Sequence, residues 1–499
     1  MLGRKSLAAY AVLLAVCVAG VQAGQDSFSA FWGSKYQPAP PAPRSEAIRA
    51  QSAARDGASG DPMHHWNRVA VDSAGLDHTP VPAGESRLFG EQLGPGRSSR
   101  AMAIVHIAMF DAVNSIAHRY TSFTGINDVR ETASMPAALA QAAHDTLVEL
   151  YPSQRKHCDE LLEEALSAIP NGADKAQGIV TGKRAAREIL RLTANDGSRH
   201  AEPVVGVDYI PGNQPGEWQP DPISGVRVAL GAHWGSVRPL IIESAVAHRV
   251  PPPPDLTSAE YAAAFNEVKR LGGDVAHTAT QRTYDQTMTG LYWAYDGTPS
   301  LCAPPRLYNQ MAMYLADKLG VTDVVEVARL LALVNVAMSD AGVAAWESKY
   351  YWKFWRPITG IREADMDGNA QTAADPSFSP LGAPATNLQG PNFTPPFPAY
   401  PSGHATFGGA VFQMLRDYFR TDSIPFTFVS DELNGSTLDN AGVPRPLLPR
   451  TFATLAQAEE ENAQSRIYLG IHWAFDKTAG IAQGRSIADE VFSKAARPR

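Results

Sequence analysis

The stretch DVVEVARLLALVNVAMSDAGVAAWESKYYWKFWRP, Asp323 to Pro357, reads as one long helix that starts near Asp323 and is stopped by Pro357. Proline lacks the N–H that the helical ladder needs and clashes with the turn before it, so Pro357 fixes where the helix stops and where Arg356 points. Lys349 and Arg356 are seven residues apart near that end. Seven residues are close to two helical turns, which places both cations on one stripe about 10 Å apart along the axis. Such a pair could grip a tetrahedral or bipyramidal oxyanion; taken alone, it also fits a solvated basic face beside core aromatics. Lys353 lies near the same stripe.

Similar helical patterns continue on both sides of this stretch. Ser98-Ser99 precede Met102, Val105, Met109 and Val113, an apolar stripe at helical spacing with a plausible cap. Further helices are expected at about 136–151, 154–168 and 174–195, followed by irregular chain with Gly, Pro and Trp from about 196 to 250. Pro251 to Pro254 read as a stiff connector. Thr257 and Glu260 then have capping-box spacing and open a helix through about Arg270. More helical runs lie near 281–293, 306–319, 403–419, 451–469 and 476–494, with a long Pro/Gly-rich excursion between Asp365 and Pro401. No strand-turn-strand series or βαβ alternation is present, so the expected class is all-α, two packed helical bundles with long irregular loops. A loop as long as 365–401 in a compact domain is usually functional or disordered.

The division expected along the chain is a signal peptide over 1–24, an irregular N-terminal arm over 25–62, an N-terminal helical region over 63–250 and a C-terminal helical region over 255–499. Arg4 and Lys5, the apolar run from Leu7 and the small residues at Val21-Gln22-Ala23 make the first of these an export signal, which implies a secreted or periplasmic protein. No later stretch offers about 18 uninterrupted apolar residues, so no membrane span is expected. A net charge of −8 over 499 residues argues against nucleic acid as the main partner. Cys17 leaves with the signal, and Cys158 with Cys302 allow one disulfide but no disulfide framework or Cys-rich zinc site.

Two further clusters carry chemistry. In PSGHATFGGA, Pro401 to Ala410, Ser402 can cap a helix, Gly403 lets a ligand approach the backbone N–H, and His404 titrates near neutral pH. A helix N-terminus is suited to an anion, so a titratable imidazole there points to acid/base work on one. In SRIYLGIHWAFD, Ser465 to Asp476, an unbroken helix would hold Arg466 and His472 about 120° apart. Gly470 supplies the break that lets them share a ligand. Arg466 can chelate anion oxygens, a neutral nitrogen of His472 can bond a metal or attack phosphorus, and Asp476 can fix the imidazole tautomer. His64-His65 are read as surface features rather than a second metal site, and His106 and His144 as satisfied buried side chains.

The series K-x6-R-P, then P-S-G-H, then S-R-x3-G-x-H-x3-D resembles the superfamily of type-2 phosphatidic acid phosphatases and vanadium-dependent haloperoxidases, over about Trp346 to Asp476. FPAYPSGHATFGGAVFQ, Phe397 to Gln413, is similar to the chloroperoxidase branch, as is Trp346; Phe397 stands where bromide-selective algal relatives have a histidine. Trp293 to Gly297 and Pro304 to Gln310 resemble the same family.

The resemblance implies a secreted haloperoxidase that takes vanadate as cofactor and oxidises halide with hydrogen peroxide to hypohalous acid through a histidine-bound peroxovanadate. It implies that His472 bonds the metal, that Lys349, Arg356, Ser402, Gly403 and Arg466 hold its oxygens, and that His404 and Lys349 are catalytic. Trp346 and Phe397 would border the halide path, while Asp296 would pair with Arg466 and Asp476 would support His472. The same pocket in an acid phosphatase would use a histidine nucleophile on phosphate. A non-catalytic oxyanion-binding protein would keep the pocket without turnover.

Overall fold

The computed structural model describes residues 28–40, 61–127 and 129–499; the signal peptide expected over 1–24 lies outside them. The main helices are α1 (Pro62–Asp77), α2 (Gly94–Ala117), α3 (Met135–Leu150), α4 (Arg155–Ser167), α5 (Ala173–Thr193), α6 (Ala259–Leu271), α7 (Tyr284–Tyr292), α8 (Pro304–Lys318), α9 (Val324–Trp352), α10 (Pro357–Arg362), α11 (Gly403–Phe419), α12 (Leu455–Tyr468) and α13 (Ala474–Lys494). Two small antiparallel strand pairs accompany them. Strand β1 (Gln37–Pro38) meets β2 (Leu388–Gln389), and β3 (Phe426–Phe428) meets β4 (Arg450–Phe452). The all-α class therefore holds.

Several boundaries differ from the sequence reading, each for a local reason. Helix α2 begins at Gly94, ahead of Ser98-Ser99, because Pro95 in the first turn has its φ preset for a helix and no N–H to lose. The serine hydroxyls instead donate back to the carbonyls of Pro95 and Gly96. Helix α6 is capped by Ser258, which accepts from Tyr261 N at 3.1 Å, while Thr257 turns its hydroxyl to Asp255; the expected box at Thr257 does not form. The arm over 25–62 is not uniformly irregular either. Residues 28–32 make a helical turn that buries Phe28, Phe31 and Trp32, β1 follows, and α1 starts at Pro62 behind an Asp61 cap.

The largest correction concerns the end of α9. It stops at Trp352, where Lys353 turns left-handed at φ 50° and donates its N–H to Lys349 O at 2.8 Å. Pro357 does not end this helix but starts α10, and the residue before it, Arg356, is pushed into extended backbone with φ −81° and ψ 157°. Lys349 and Arg356 consequently do not share a helical stripe.

Every residue of α9 from Val327 to Trp346 is buried, because α9 serves two bundles at once. One side packs on α2, which also packs on α3 and α5; the other packs on α11 and α13, with α12 and α7 outside them. Helices α2 and α9 are long and apolar enough to cross a membrane, yet 94% and 100% of their most apolar windows are enclosed by the rest of the fold. Core burial explains their composition.

The α11–α13 crossing is unusually close. A Cβ at Gly409 would stand 2.6 Å from Ile481 O, and one at Gly480 would stand 2.8 Å from Ser402 O. Glycines let the two helix backbones touch, and their N-terminal ends meet where Ser402 N donates to Asp476 O at 3.0 Å.

Buried histidines tie the N-terminal helices together. His106 on α2 donates from Nδ1 to Met102 O at 2.7 Å, and its Nε2 lies 2.8 Å from Asn67 Oδ1 on α1 and 3.4 Å from Asn309 Nδ2 on α8. Burial depresses its pKa to about 4. The unfolded chain therefore binds more protons than the folded one between about pH 4 and 6.5, and the stability tied to neutral His106 is lost as pH falls through that window. Its full size is roughly 3 kcal/mol. Asp77 and Asp340, pushed up to about 6 by burial, act with the opposite sign. The expected result is thus a difference: His106→Gln is less stable than the native chain at pH 7, and that deficit shrinks toward pH 4.5 in urea unfolding. His144 is largely buried between Asp145 and Asp159. His64 is not a bare surface histidine, since it bridges Asp61 and Asp317 and joins the start of α1 to α8. No group of three or more potential metal-ligating His, Cys, Asp or Glu side chains occurs among the described residues. Cys158 and Cys302 are both buried and free, so the allowed disulfide does not form.

Candidate active site

Three chain turns converge on one buried point. The first is the α9–α10 junction, where the extended backbone of Arg356 sends its guanidinium inward; Nε donates to Phe397 O at 2.9 Å and Nη1 to Ile471 O at 2.8 Å. The same Nη1 lies 2.9 Å from His472 Nε2. The second is the entrance of α11, where Ser402 caps the helix by accepting from Ala405 N, followed by Gly403 and His404. The third is the α12–α13 junction. Gly470, at φ 73°, supplies the left-handed residue that ends α12 and turns the chain, so that Arg466 and His472 reach the same place.

Together these segments wall a cavity lined by Asp296, Trp346, Phe397, Gly403, His404, Arg466 and His472, with Phe31, Trp32, Val226, Leu230 and Phe393 on its apolar side. Lys349, Arg356 and Ser402 stand behind that lining, each almost fully buried. Trp346 and Phe397 contact each other with ring centroids 4.9 Å apart, and Lys349 Nζ sits 5.1 Å from the Phe397 ring. Lys353, considered near the first stripe, is the left-handed cap residue instead.

The ionic partners fix orientation. Arg466 Nη2 donates to Asp296 Oδ1 at 2.6 Å. His472 Nδ1 donates to Asp476 Oδ2 at 2.7 Å, and that oxygen also accepts Trp473 N, leaving Nε2 unprotonated as the acceptor of Arg356 Nη1. His404 Nε2 must carry hydrogen, because its partner at 2.6 Å is the carbonyl of Ala294. Burial, then Arg466, holds the His404 pKa well below its ordinary value, so the ring is neutral and Nδ1 is its basic atom. Burial, then Arg356 and Lys349, does the same to His472. Burial pushes Asp476 up to about 7 and raises Asp296 as well. The site therefore has strong cationic character, with two guanidiniums and an ammonium against two carboxylates drawn toward protonation.

Lys349 donates to three backbone carbonyls, those of Pro398, Ala399 and Pro401. Burial, then Arg356, pulls its pKa well down, while the three carbonyl dipoles favour the ammonium. Its visible work is to hold the segment that delivers Phe397 and Ser402.

Arg356 Nη2, Arg466 Nε and Arg466 Nη1 are buried with no hydrogen-bond partner among the described residues. Leaving buried donors unsatisfied is costly, and for charged donors more so. Three such N–H groups in a site that also holds an unprotonated imidazole nitrogen match an oxyanion of several equivalent oxygens whose central atom can accept a nitrogen. Vanadate meets that description, and hard oxygen and imidazole contacts without thiolate suit it.

Phe31 and Trp32 were missed in the sequence reading, which assigned them to an irregular arm. Their signal was the cluster FSAFW, 28–32, aromatic-rich within a segment otherwise dominated by Pro, Ala, Ser and Gly.

Comparison with known proteins gives the family and the fold. Residues 329–499 match the model of the VCPO second helical-bundle domain. The chain is 32% identical to the vanadium chloroperoxidase of Curvularia inaequalis, over 83% of this chain and 78% of that protein. Among solved structures, a bacterial vanadium-dependent iodoperoxidase superposes with a TM-score of 0.68 at 23% identity, covering 86% of this chain and 96% of the other. An apo-type bacterial vanadium-dependent chloroperoxidase gives 0.62 at 17% identity, covering 81% and 94%. These last two likenesses are of fold.

Proposed function

This chain belongs to the vanadium haloperoxidase family, and from that membership we propose that it binds vanadate in the pocket between α9, α11 and α13 and oxidises a halide with hydrogen peroxide to hypohalous acid. The observation that carries the reading is the set of three partnerless guanidinium donors, Arg356 Nη2, Arg466 Nε and Arg466 Nη1, in the site that His472 shares. Bound vanadate supplies a Lewis-acid centre that activates peroxide toward a halide while keeping its own oxidation state.

The protein does the rest. Asp476 keeps the proton of His472 on Nδ1, so that Nε2 stays unprotonated and would exchange its contact with Arg356 Nη1 for the metal. Arg356 and Arg466 hold the oxyanion through their free donors, and Asp296 keeps Arg466 in place. The Gly403 backbone opens a close approach at the α11 entrance, where unpaired N–H groups favour an anion. His404 accepts a proton from incoming peroxide at Nδ1, because its Nε2–H is committed to Ala294 O. Lys349 adds positive charge behind the site and fixes Pro398 to Pro401. Trp346 and Phe397 form a dry wall that favours a poorly hydrated halide over water. Residues 1–24 direct export, so the working compartment is the periplasm or the medium.

The test is titration of the purified, vanadate-free chain with vanadate, followed by bromide oxidation in the presence of hydrogen peroxide. Activity that rises with vanadate and saturates near one equivalent is expected, with inorganic phosphate competing. Phosphate-ester hydrolysis by the vanadate-free chain, with no halide oxidation after loading, would reject the proposal in favour of a phosphatase.

A further inference from the structure

The N-terminal segment is a wall of the catalytic cavity. Residues 28–32 turn so that Phe31 and Trp32 line the same space as Arg466, His404 and His472, although they lie hundreds of residues away in sequence. β1 pins the segment to β2 within the 365–401 excursion, so both irregular parts of the chain meet here. Trp32 is only 2% exposed and packs edge-on against Tyr36 and Phe393 at centroid distances of 5.4 and 5.0 Å.

The polar atoms of this cavity differ in one respect. Trp346 Nε1 is already spent on Leu230 O at 3.1 Å. Lys349 is spent on its three carbonyls. Among the described side chains lining the cavity, the buried N–H donors lacking a partner are Arg466 Nε, Arg466 Nη1 and Trp32 Nε1. The arginine donors face the oxyanion chemistry argued above. The indole donor belongs to a ring that meets Phe31, Tyr36 and Phe393 edge-on, at centroid distances of 5.5, 5.4 and 5.0 Å.

We propose that Trp32 is a specificity-determining residue that donates its indole N–H to the halide before it is oxidised. One N–H donor within an aromatic and aliphatic wall selects a monatomic, weakly hydrated anion. An oxyanion needs several donors, which Arg466 Nε and Nη1 supply and a single indole N–H does not. The inference rests on the haloperoxidase reading and adds to it a residue from the segment 28–32.

Two measurements decide it. In crystals of the native chain soaked in bromide, an anomalous peak within hydrogen-bonding distance of Trp32 Nε1 is expected; bromide peaks elsewhere in the cavity and none at Trp32 would overturn the proposal. In the vanadate-loaded Trp32→Phe variant, which keeps an aromatic ring in the wall, KM for bromide should rise about tenfold, as for loss of one hydrogen bond to a charged group, with kcat and vanadate affinity unchanged. An unchanged KM, or a matching loss of vanadate affinity, would show that the ring merely packs. Failure of the haloperoxidase reading itself would appear separately, as no halide oxidation by the native loaded chain, while the bromide map would still report on Trp32.

Discussion

A His472→Ala variant is expected to lose bromide oxidation by about a thousandfold or more and to retain little vanadate at concentrations that saturate the native chain. The reason is that His472 Nε2 is an unprotonated nitrogen set directly against the Arg356 guanidinium, 2.9 Å from Nη1. The guanidiniums can still attract an oxyanion electrostatically, but nothing replaces the bond to its central atom. Equilibrium dialysis with vanadate and peroxide-dependent bromide oxidation measure the two losses, and urea unfolding serves as the control for integrity. Retained oxidation in the alanine variant would remove His472 from the chemistry. Residual weak binding of phosphate and vanadate alike would fit the surviving Arg356 and Arg466 donors.

Gly484→Ala is expected to be the most damaging small substitution away from the cavity. A methyl there would overlap Thr406 O and stand 2.6 Å from Ala410 N, both backbone atoms of the facing helix. Backbone cannot swing aside as a side chain can, so α11 and α13 must separate along the crossing. A loss of about 4 kcal/mol in urea unfolding is expected, at the upper end for overpacking. Because the two helices begin at Gly403 and Ala474, separation also pulls Ser402 from Asp476 and His404 from His472. Any protein recovered should therefore bind vanadate weakly even though no residue of the pocket has changed. Native-like stability and affinity together would refute the close crossing.

Much of the site was legible because its chemistry sits at helix ends, where sequence is most explicit. Ser402 before Gly403 announced a capped entrance, and Gly470 between Arg466 and His472 announced a break; both occur in the fold. The i, i+4 spacing of His472 and Asp476 also gave a true neighbour, though the two straddle a helix start instead of sharing a helical turn. The α9–α10 junction was misread because Pro357 looks the same whether it stops one helix or starts the next. Extended backbone at Arg356, forced by that proline, is what swings the guanidinium to His472. Lys349 was legible as a cation but not as a ligand of three carbonyls, since those partners lie in a loop with no periodic pattern. Phe31 and Trp32 were hidden for a related reason: their packing partners are Phe393 and Gly297, and local spacing carries no information about contacts that distant.

The double duty of α9 has an evolutionary and practical corollary. A helix that supplies the inner wall of two bundles cannot be assigned to either half, so the chain has no clean crossover point for chimaeras. The domain match beginning at residue 329 cuts inside α9. A fragment cloned from that residue would bare the apolar side that α2 normally covers, and the complementary fragment would lose the partner of α2. Exchange of halide preference between relatives should accordingly be attempted by grafting the loops around Phe31 and Phe397 onto an intact helical frame, not by swapping halves.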